Sequence, residues 1–256
     1  LRCLSCFKSG VPVKPISSLG DARRAIEKRS TTQQTIRVAV IGGGPGGVEL
    51  SANSSHLMHS LGVTGRDVHL YTGDHPLAGV SPKREEYVER ALRTVGVQIH
   101  KGQRAEPDDL DADFVFMAWG IRPPEVMQNF GLPLAEDGGI LIDSYLRSTG
   151  RDNVFAVGDC ATMSGDPLDR VGVFAVRMQP VLLENLCRAV EGDGPARELH
   201  RFTGTHKYLA GFNLGFGRGM LYRGKWTITG RKAFALKDRI DRGFMKRYQQ
   251  VVRKNA

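Results

Sequence analysis

Along the first half of the chain, apolar positions alternate between strand-like and helix-like runs. Ile36-Arg-Val-Ala-Val-Ile41 is a β-branched run of the kind buried in a parallel sheet. Val48 to Leu61 has the length and content of a helix, and Val68-His-Leu-Tyr71 is a second strand. Pro82 to Val95 is a helix with proline near its first turn, where the missing N–H costs least. Val97-Gln-Ile-His100 is a third strand. The order strand–helix–strand–helix–strand predicts an α/β fold with a doubly wound parallel sheet. Ahead of it, each proline of Val11-Pro-Val-Lys-Pro15 biases its predecessor away from helix, so this stretch is extended. Ser18 to Arg29 reads as a short polar helix, and Ser30 to Gln34 as a loop.

The second half is less regular. Asp113 to Ala118 is a buried strand ended by Trp119-Gly120 and Arg122-Pro123-Pro124. Gly138-Gly139 is a turn before Ile140-Leu-Ile142, and Asn153 to Val157 is a strand stopping at Gly158-Asp159. Val171 to Val190 is a long, mostly apolar helix, and Gly192-Asp-Gly-Pro195 after it marks a domain boundary. Lys207 to Thr229 has short apolar stretches between glycines, the pattern of an antiparallel β-meander. Arg231 to Val252 returns to helical spacing, with Leu236, Ile240, Phe244, Tyr248 and Val251 on one stripe.

Composition narrows the function classes. The 31 glycines in 256 residues exceed the average of about 7% and carry no collagen period, which points to tight turns or close ligand approach. The net charge of +9 is uneven: Arg218 to Ala256 holds twelve Lys/Arg against Asp238 and Asp241 alone. The body is near neutral, which argues against nucleic acid as a partner. Four cysteines are too few for a disulfide scaffold, so a reduced cytoplasmic setting is the default. No apolar run approaches membrane-spanning length. His56 and His59 lie on a helix with no third metal ligand nearby.

Gly42, Gly44 and Gly47 form G-x-G-x-x-G between the first strand and its helix, the context in which that pattern binds a dinucleotide. Gly42 allows the tight turn, Gly44 lets backbone approach a pyrophosphate, and Gly47 lets helix pack on strand. The helix N-terminus supplies N–H groups and partial positive charge, which places Pro45 and Gly46 at the ligand as well. The second strand runs into Thr72, Gly73 and Asp74; Asp74 lies past the usual place of a ribose-binding acid, and Arg66, a candidate for a 2′-phosphate, precedes the strand. The choice between NADH and NADPH is not legible here.

Three stretches together resemble the two-dinucleotide flavoprotein reductases of the pyridine nucleotide–disulfide oxidoreductase superfamily. Val40-Ile-Gly-Gly-Gly-Pro-Gly-Gly-Val-Glu-Leu50 is similar to that family's NAD(P) fingerprint, with Glu49 in its usual place. Met117-Ala-Trp-Gly-Ile-Arg-Pro123 is similar to its A-T-G crossover, which implicates Ala118 and Gly120, with Trp119 in place of Thr. Val154-Phe-Ala-Val-Gly-Asp159 is similar to its second FAD motif, where Gly158 and Asp159 would meet the ribityl chain. Val173-Phe-Ala-Val-Arg177, Pro180 to Asn185, Trp226, Lys237 to Arg242 and Val13-Lys-Pro-Ile16 resemble the NADH dehydrogenase-like branch, which includes the oxidoreductase module fused to selenide, water dikinase.

The resemblance implies four segments: 1–34, part of an FAD domain; 35–118, a Rossmann-like NAD(P)-binding domain; 119–195, an FAD-binding segment; and 196–256, a β-meander with a basic amphipathic helix. It implies FAD and NAD(P)H as cofactors and hydride transfer through flavin to a small acceptor such as a quinone. No catalytic side chain is required, because the flavin does the hydride chemistry. Backbone amides from Val176 to Gln179, placed at a helix start, would stabilise reduced flavin, and Glu49 would sit near the nicotinamide or remain a solvated first-turn acid. The family's first G-x-G-x-x-G, which holds the FAD pyrophosphate, is missing: only Gly10 and Gly20 precede Gly42. Truncation, which the absent initiator Met supports, a second chain, or loss of flavin are the three explanations. A reductase dithiol is also missing; Cys3 and Cys6 are structural or incidental, Cys160 packs near Asp159, and Cys187 is a core residue of its helix.

The competing reading is a non-catalytic nucleotide-binding module, and a third is a reductase domain serving selenium metabolism. The basic tail is either a peripheral membrane-surface helix or a helix packed on the domain with its charges in water. The oligomeric state is not legible.

Overall fold

The computed structural model describes residues 10–190 and 199–254. The Gly192–Pro195 boundary and the Cys3/Cys6 pair lie outside these residues. The elements are β1 (Val11–Pro12), α1 (Ser17–Ser30), β2 (Thr35–Ile41), α2 (Pro45–Ser60), β3 (Gly65–Thr72), α3 (Pro82–Thr94), β4 (Val97–Lys101), β5 (Phe114–Met117), β6 (Ile140–Ile142), β7 (Ala161–Met163), α4 (Gly172–Val190), β8 (Ala210–Asn213), β9 (Gly219–Arg223), β10 (Trp226–Thr229) and α5 (Gly230–Lys254). The chain divides into two compact units. One runs to Gly120 and resumes from Leu209, and the other is Ile121–Tyr208.

In the first unit the five parallel strands take the order β1-β5-β2-β3-β4. Alternation along the strands gives the sheet two unlike faces. Val38, Val40, Val68 and Leu70 are fully buried, as are Val48, Ala52 and Met58 of α2 and Val88 and Leu92 of α3. On the other face a smaller core of Ala39, Ile41, Ala112 and Val115 is flanked by Tyr71, Ala105 and Leu110. Helix α2 begins at Pro45, three residues before the apolar pattern placed it, because Pro45 sits in the first turn, where its missing N–H and fixed φ suit helix entry.

The meander has the expected antiparallel form, β10-β9-β8. Arg84 of α3 grips it, donating to Thr227 Oγ1 at 2.9 Å and Gly224 O at 2.6 Å with its guanidinium 4.3 Å from the centre of the Tyr222 ring. Helix α5 packs on the meander through its first two turns, where Ala233 is fully buried. The expected stripe is not the packing face. Leu236, Ile240 and Phe244 are 41%, 45% and 38% exposed. From Arg239 to Lys246, and at Gln249 and Gln250, every residue is exposed.

In the second unit β6 and β7 form a short parallel pair, and α4 carries Pro180 within it. Ile140, Ile142, Leu146, Ala156, Met178 and Phe202 make its core. Buried Asn185 donates to the carbonyls of Tyr145 and His200 and accepts from His200 N–H, so a polar side chain is fully satisfied inside the unit. The strand expected over Asn153–Val157 is corrected. That segment makes a single bridge, Arg147 with Phe155, and the paired strand comes after the Gly158 turn, at Ala161–Met163. Its apolar character reflects burial of Ala156 against the core, not a sheet ladder.

Asp67, His69 and Tyr71 of β3 and Gln98 and His100 of β4 share the sheet's less buried face. His69 Nδ1 and His100 Nε2 are 2.8 Å apart, His69 Nε2 lies 2.8 Å from Asp67 Oδ1, and Tyr71 stacks on His100 at 4.5 Å. Arg37 and Gln98 also bond Asp67. Burial first, and His69 second, hold His100 below the ordinary histidine value. A folded-state value below the unfolded one means that this source leaves stability intact above about pH 6.5 and removes it as pH falls through and below that value. The thermal midpoint, followed from pH 7.5 to 5, is therefore expected to fall less steeply in His100→Gln than in the wild type.

Candidate functional site

The site is built where β2, β3 and β5 end together. Ala118 N–H donates to Ile41 O and Gly42 N–H to Tyr71 O, which ties the three strand ends to the glycine loop. Gly42 has φ +117°, and a Cβ there would stand 2.6 Å from Ala118 O. A Cβ on Gly47 would collide with Gly42 O, and one on Gly43 with Thr72 Oγ1. Thr72 is buried, and Gly43 O accepts from Leu77 N–H, so the segment after β3 closes one side of the loop. These three glycines answer to the protein's own packing.

Gly44 and Gly46 do not. A Cβ on either would meet no atom within 4 Å. Gly44 caps α2 in extended conformation with no side-chain cap, and Val48 N–H closes the first helical turn on its carbonyl. Pro45 has no N–H, so Gly46 and Gly47 offer the first donors of a sixteen-residue helix at its positive end. A pyrophosphate suits this arrangement: bare backbone, open space and uncapped donors converge at the carboxyl ends of parallel strands. Gly120, with φ +51°, follows exposed Trp119 beyond the end of β5. Asp74, just past Thr72, is largely exposed. Arg66 is at the opposite end of β3, paired with Ile36 and donating to Val63 O, so it does not reach the loop.

Glu49 is only partly exposed and is not free. It accepts from Asn213 N–H at 2.8 Å and lies 3.7 Å from Lys237 Nζ, which also donates to Asp241 at 2.7 Å. Burial pushes the Glu49 carboxyl above its usual value, with Asn213 and Lys237 pulling the other way and Asp241 adding to the rise. Burial lowers Lys237 in turn, but Asp241 and Glu49 outweigh it and the ammonium is raised. Asn53 bridges the same junction, donating to Glu49 O and Asn213 O. Lys237 was read only as part of a basic helix with a family likeness, and Asn213 drew no attention at all. Their partnership with Glu49 joins residues far apart in sequence and has no local signal.

In the second unit Gly158–Cys160 is one turn of 3-10 helix with Asp159 in its centre. Gly158 has φ +71°, and a Cβ there would stand 3.1 Å from Ala175 Cβ, so the turn is pressed against α4. Cys160 packs on the unit's core with its thiol on Val157 O. Two expectations are corrected. Helix α4 starts at Gly172, so Val176 and Gln179 are not at a helix start and their amides belong to its internal hydrogen-bond ladder. Pro180 supplies no N–H, which leaves Val176 O without its usual helical donor. Cys187 is exposed on α4, not core, because the helix buries its opposite face, Phe174, Met178 and Asn185. His56 and His59 flank the Phe216 ring, and no group able to hold a metal ion occurs among the described residues.

The two kinds of glycine separate by mutation. Gly47→Ala is expected to lower stability by more than about 2 kcal/mol, because helix and strand must part. Gly46→Ala, in an open helical position, should leave stability unchanged or raise it by up to about 1 kcal/mol. Chemical denaturation of the two variants checks both.

A model of the pyridine nucleotide-disulphide oxidoreductase family matches residues 13–180. Demethylphylloquinone reductase NdbB of Synechocystis is 26% identical over 162 residues, 56% of this chain and 39% of that protein. The type II NADH:quinone oxidoreductase of Haemophilus influenzae is 24% identical over 158 residues, 54% of this chain and 36% of that protein. The chain thus spans about two fifths of the length of these curated relatives. Among solved structures, NDH2 from Plasmodium falciparum in complex with NADH superposes with a TM-score of 0.71 at 12% identity, covering 91% of this chain and 69% of that one. That likeness shows the fold. With the family model spanning well over half of its length, this chain belongs to the pyridine nucleotide-disulphide oxidoreductases.

Proposed function

We propose that this chain binds NAD(P)H on the Gly42–Gly47 loop and forms part of an FAD-dependent NAD(P)H oxidoreductase that delivers hydride through flavin to a small acceptor such as a quinone, without a redox dithiol. The observation that carries the reading is the open face of Gly44 and Gly46 before the uncapped N-terminus of α2. The curated relatives named for quinone reduction, by NADH in one case, support it.

In this reading the Gly46 and Gly47 N–H groups hold the nucleotide pyrophosphate, with Pro45 fixing the helix entry. Thr72, Ala118 and Gly120 frame the loop, and Glu49, pinned by Asn213 and Lys237, sets the side nearest the nicotinamide. Flavin, when bound, supplies the hydride acceptor. The Gly158–Asp159 turn suits the polyol part of that group, because a carboxylate accepts from hydroxyls and the glycine lets the turn press close against α4. A second G-x-G-x-x-G for the flavin pyrophosphate is not in this sequence. Val176 and Gln179 border the flavin through the exposed face of α4, not through their amides. The working segments are 35–118 for the nicotinamide nucleotide, 119–195 for flavin, and 196–256 for the meander and helix; the described part of 1–34, expected with the flavin segment, instead joins the nucleotide sheet, where β1 pairs with β5.

The same reading gives α5 a place at a membrane surface, where quinones reside. Its exposed Leu236, Ile240 and Phe244 run beside Arg239 and Lys246. No described helix is long and apolar enough to cross a membrane. The competing reading is a nucleotide-binding module without flavin.

A visible spectrum of the purified chain mixed with FAD, then with NADH without oxygen, tests the first reading. Flavin bands that co-elute with the protein and bleach on NADH are expected. NADH binding with no retained flavin would favour the second reading, and failure to bind either would overturn both. Pelleting with anionic liposomes is expected at low salt and should fade at about 0.5 M salt, with Phe244→Glu weakening it.

A further inference from the structure

Three parts of the second unit converge on one guanidinium. Arg170 precedes α4, Thr162 lies on β7, and Asp137 opens the Asp137-Gly-Gly139 turn. Arg170 Nη2 donates to Asp137 Oδ2 and to Thr162 Oγ1, both at 2.8 Å. Thr162 Oγ1 donates to Asp137 at 2.9 Å, and Gly139 N–H donates to the same carboxylate at 3.0 Å. Arg170 Nε, beside Nη2 on the guanidinium, donates to the backbone carbonyl of Asp159 at 3.1 Å.

The surroundings are shaped for this arginine. Its side chain is only 16% exposed. A Cβ on Gly139 would overlap Thr162 Oγ1 and stand 2.9 Å from Arg170 Nη2, so the second glycine of the turn is what lets the guanidinium in. Burial opposes ionisation of Asp137, but Gly139 N–H, Arg170 and Thr162 outweigh it and hold the carboxyl below its usual value. The anchor is therefore a charged, satisfied group, and its fixed fork reaches Asp159 from a defined direction.

We propose that Arg170 is a positioning residue for flavin: it fixes the backbone of the Gly158–Asp159 turn from which the Asp159 carboxylate projects toward the flavin polyol. The inference rests on the flavin reading above and adds to it a residue that touches no ligand. Lysine cannot replace it, because an ammonium lacks the planar fork that spans Asp137, Thr162 and Asp159 at once.

The test is FAD titration of the full chain, read by flavin fluorescence, beside NADH titration and a thermal midpoint. In Arg170→Lys, FAD binding should weaken about tenfold while NADH binding, placed in the other unit, stays as in the wild type. Thr162→Val, which removes one bridge and leaves the arginine, should weaken FAD about threefold and serves if the lysine variant does not fold. A variant that melts earlier yet binds FAD as the wild type does would overturn the inference and leave Arg170 a purely structural residue. A wild-type chain that binds NADH but no FAD would remove the flavin reading and this inference with it.

Discussion

Helix α2 can meet the end of β2 only because two residues lack side chains. The carbonyl of Gly42 occupies the place that a Gly47 Cβ would take, and a Cβ on Gly42 would in turn stand 2.6 Å from Ala118 O. Core strands and helices normally keep their backbones apart by the width of their side chains. Here that spacing is abolished at one point, so the helix N-terminus is drawn down onto the strand ends and the loop between them is left bare. Thr72 seals the flank against Gly43. The open donors at Gly46 and Gly47 follow from this approach, an arrangement that suits an anion.

The C-terminal elements depend on the same helix. The turn at Gly215 is pressed against Ala52 O, where a Cβ would come within 2.8 Å, and Asn213 reaches Asn53 beside it and Glu49 one turn earlier on α2. Arg84 and Tyr87 of α3 hold the other end of the meander, Tyr87 accepting from Gly230 N–H at the start of α5. Residues far beyond the family match thus complete the surroundings of an acid in the nucleotide motif. Its raised pKa reflects the tension between burial, which disfavours charge, and Lys237, which favours it.

The second unit uses polar contacts where the first uses sterics. Its parallel pair is short, and Asn185 and Arg170 do much of the joining between elements. Both are satisfied by backbone carbonyls or by a carboxylate, so each fixes direction as well as proximity. A turn held in this way keeps its backbone geometry when its own side chain is engaged elsewhere.

The parallel sheet and the glycine loop were legible in the chain because their signals are local. A β-branched run, a glycine at each tight turn and a proline at helix entry each act within a few residues. The antiparallel meander was legible for the same reason. The apolar run at Asn153–Val157 misled, because burial against a core and pairing in a sheet leave the same pattern. The α5 stripe misled in the opposite direction, since periodicity states that a face is apolar and not what covers it. The tertiary structure alone decided the tether of Glu49 to Asn213 and Lys237, the placing of Arg66 away from the loop, and the grip of Arg170 on Asp159. Each depends on chain segments that meet only after folding, and a contact between distant residues leaves no periodicity behind in one sequence.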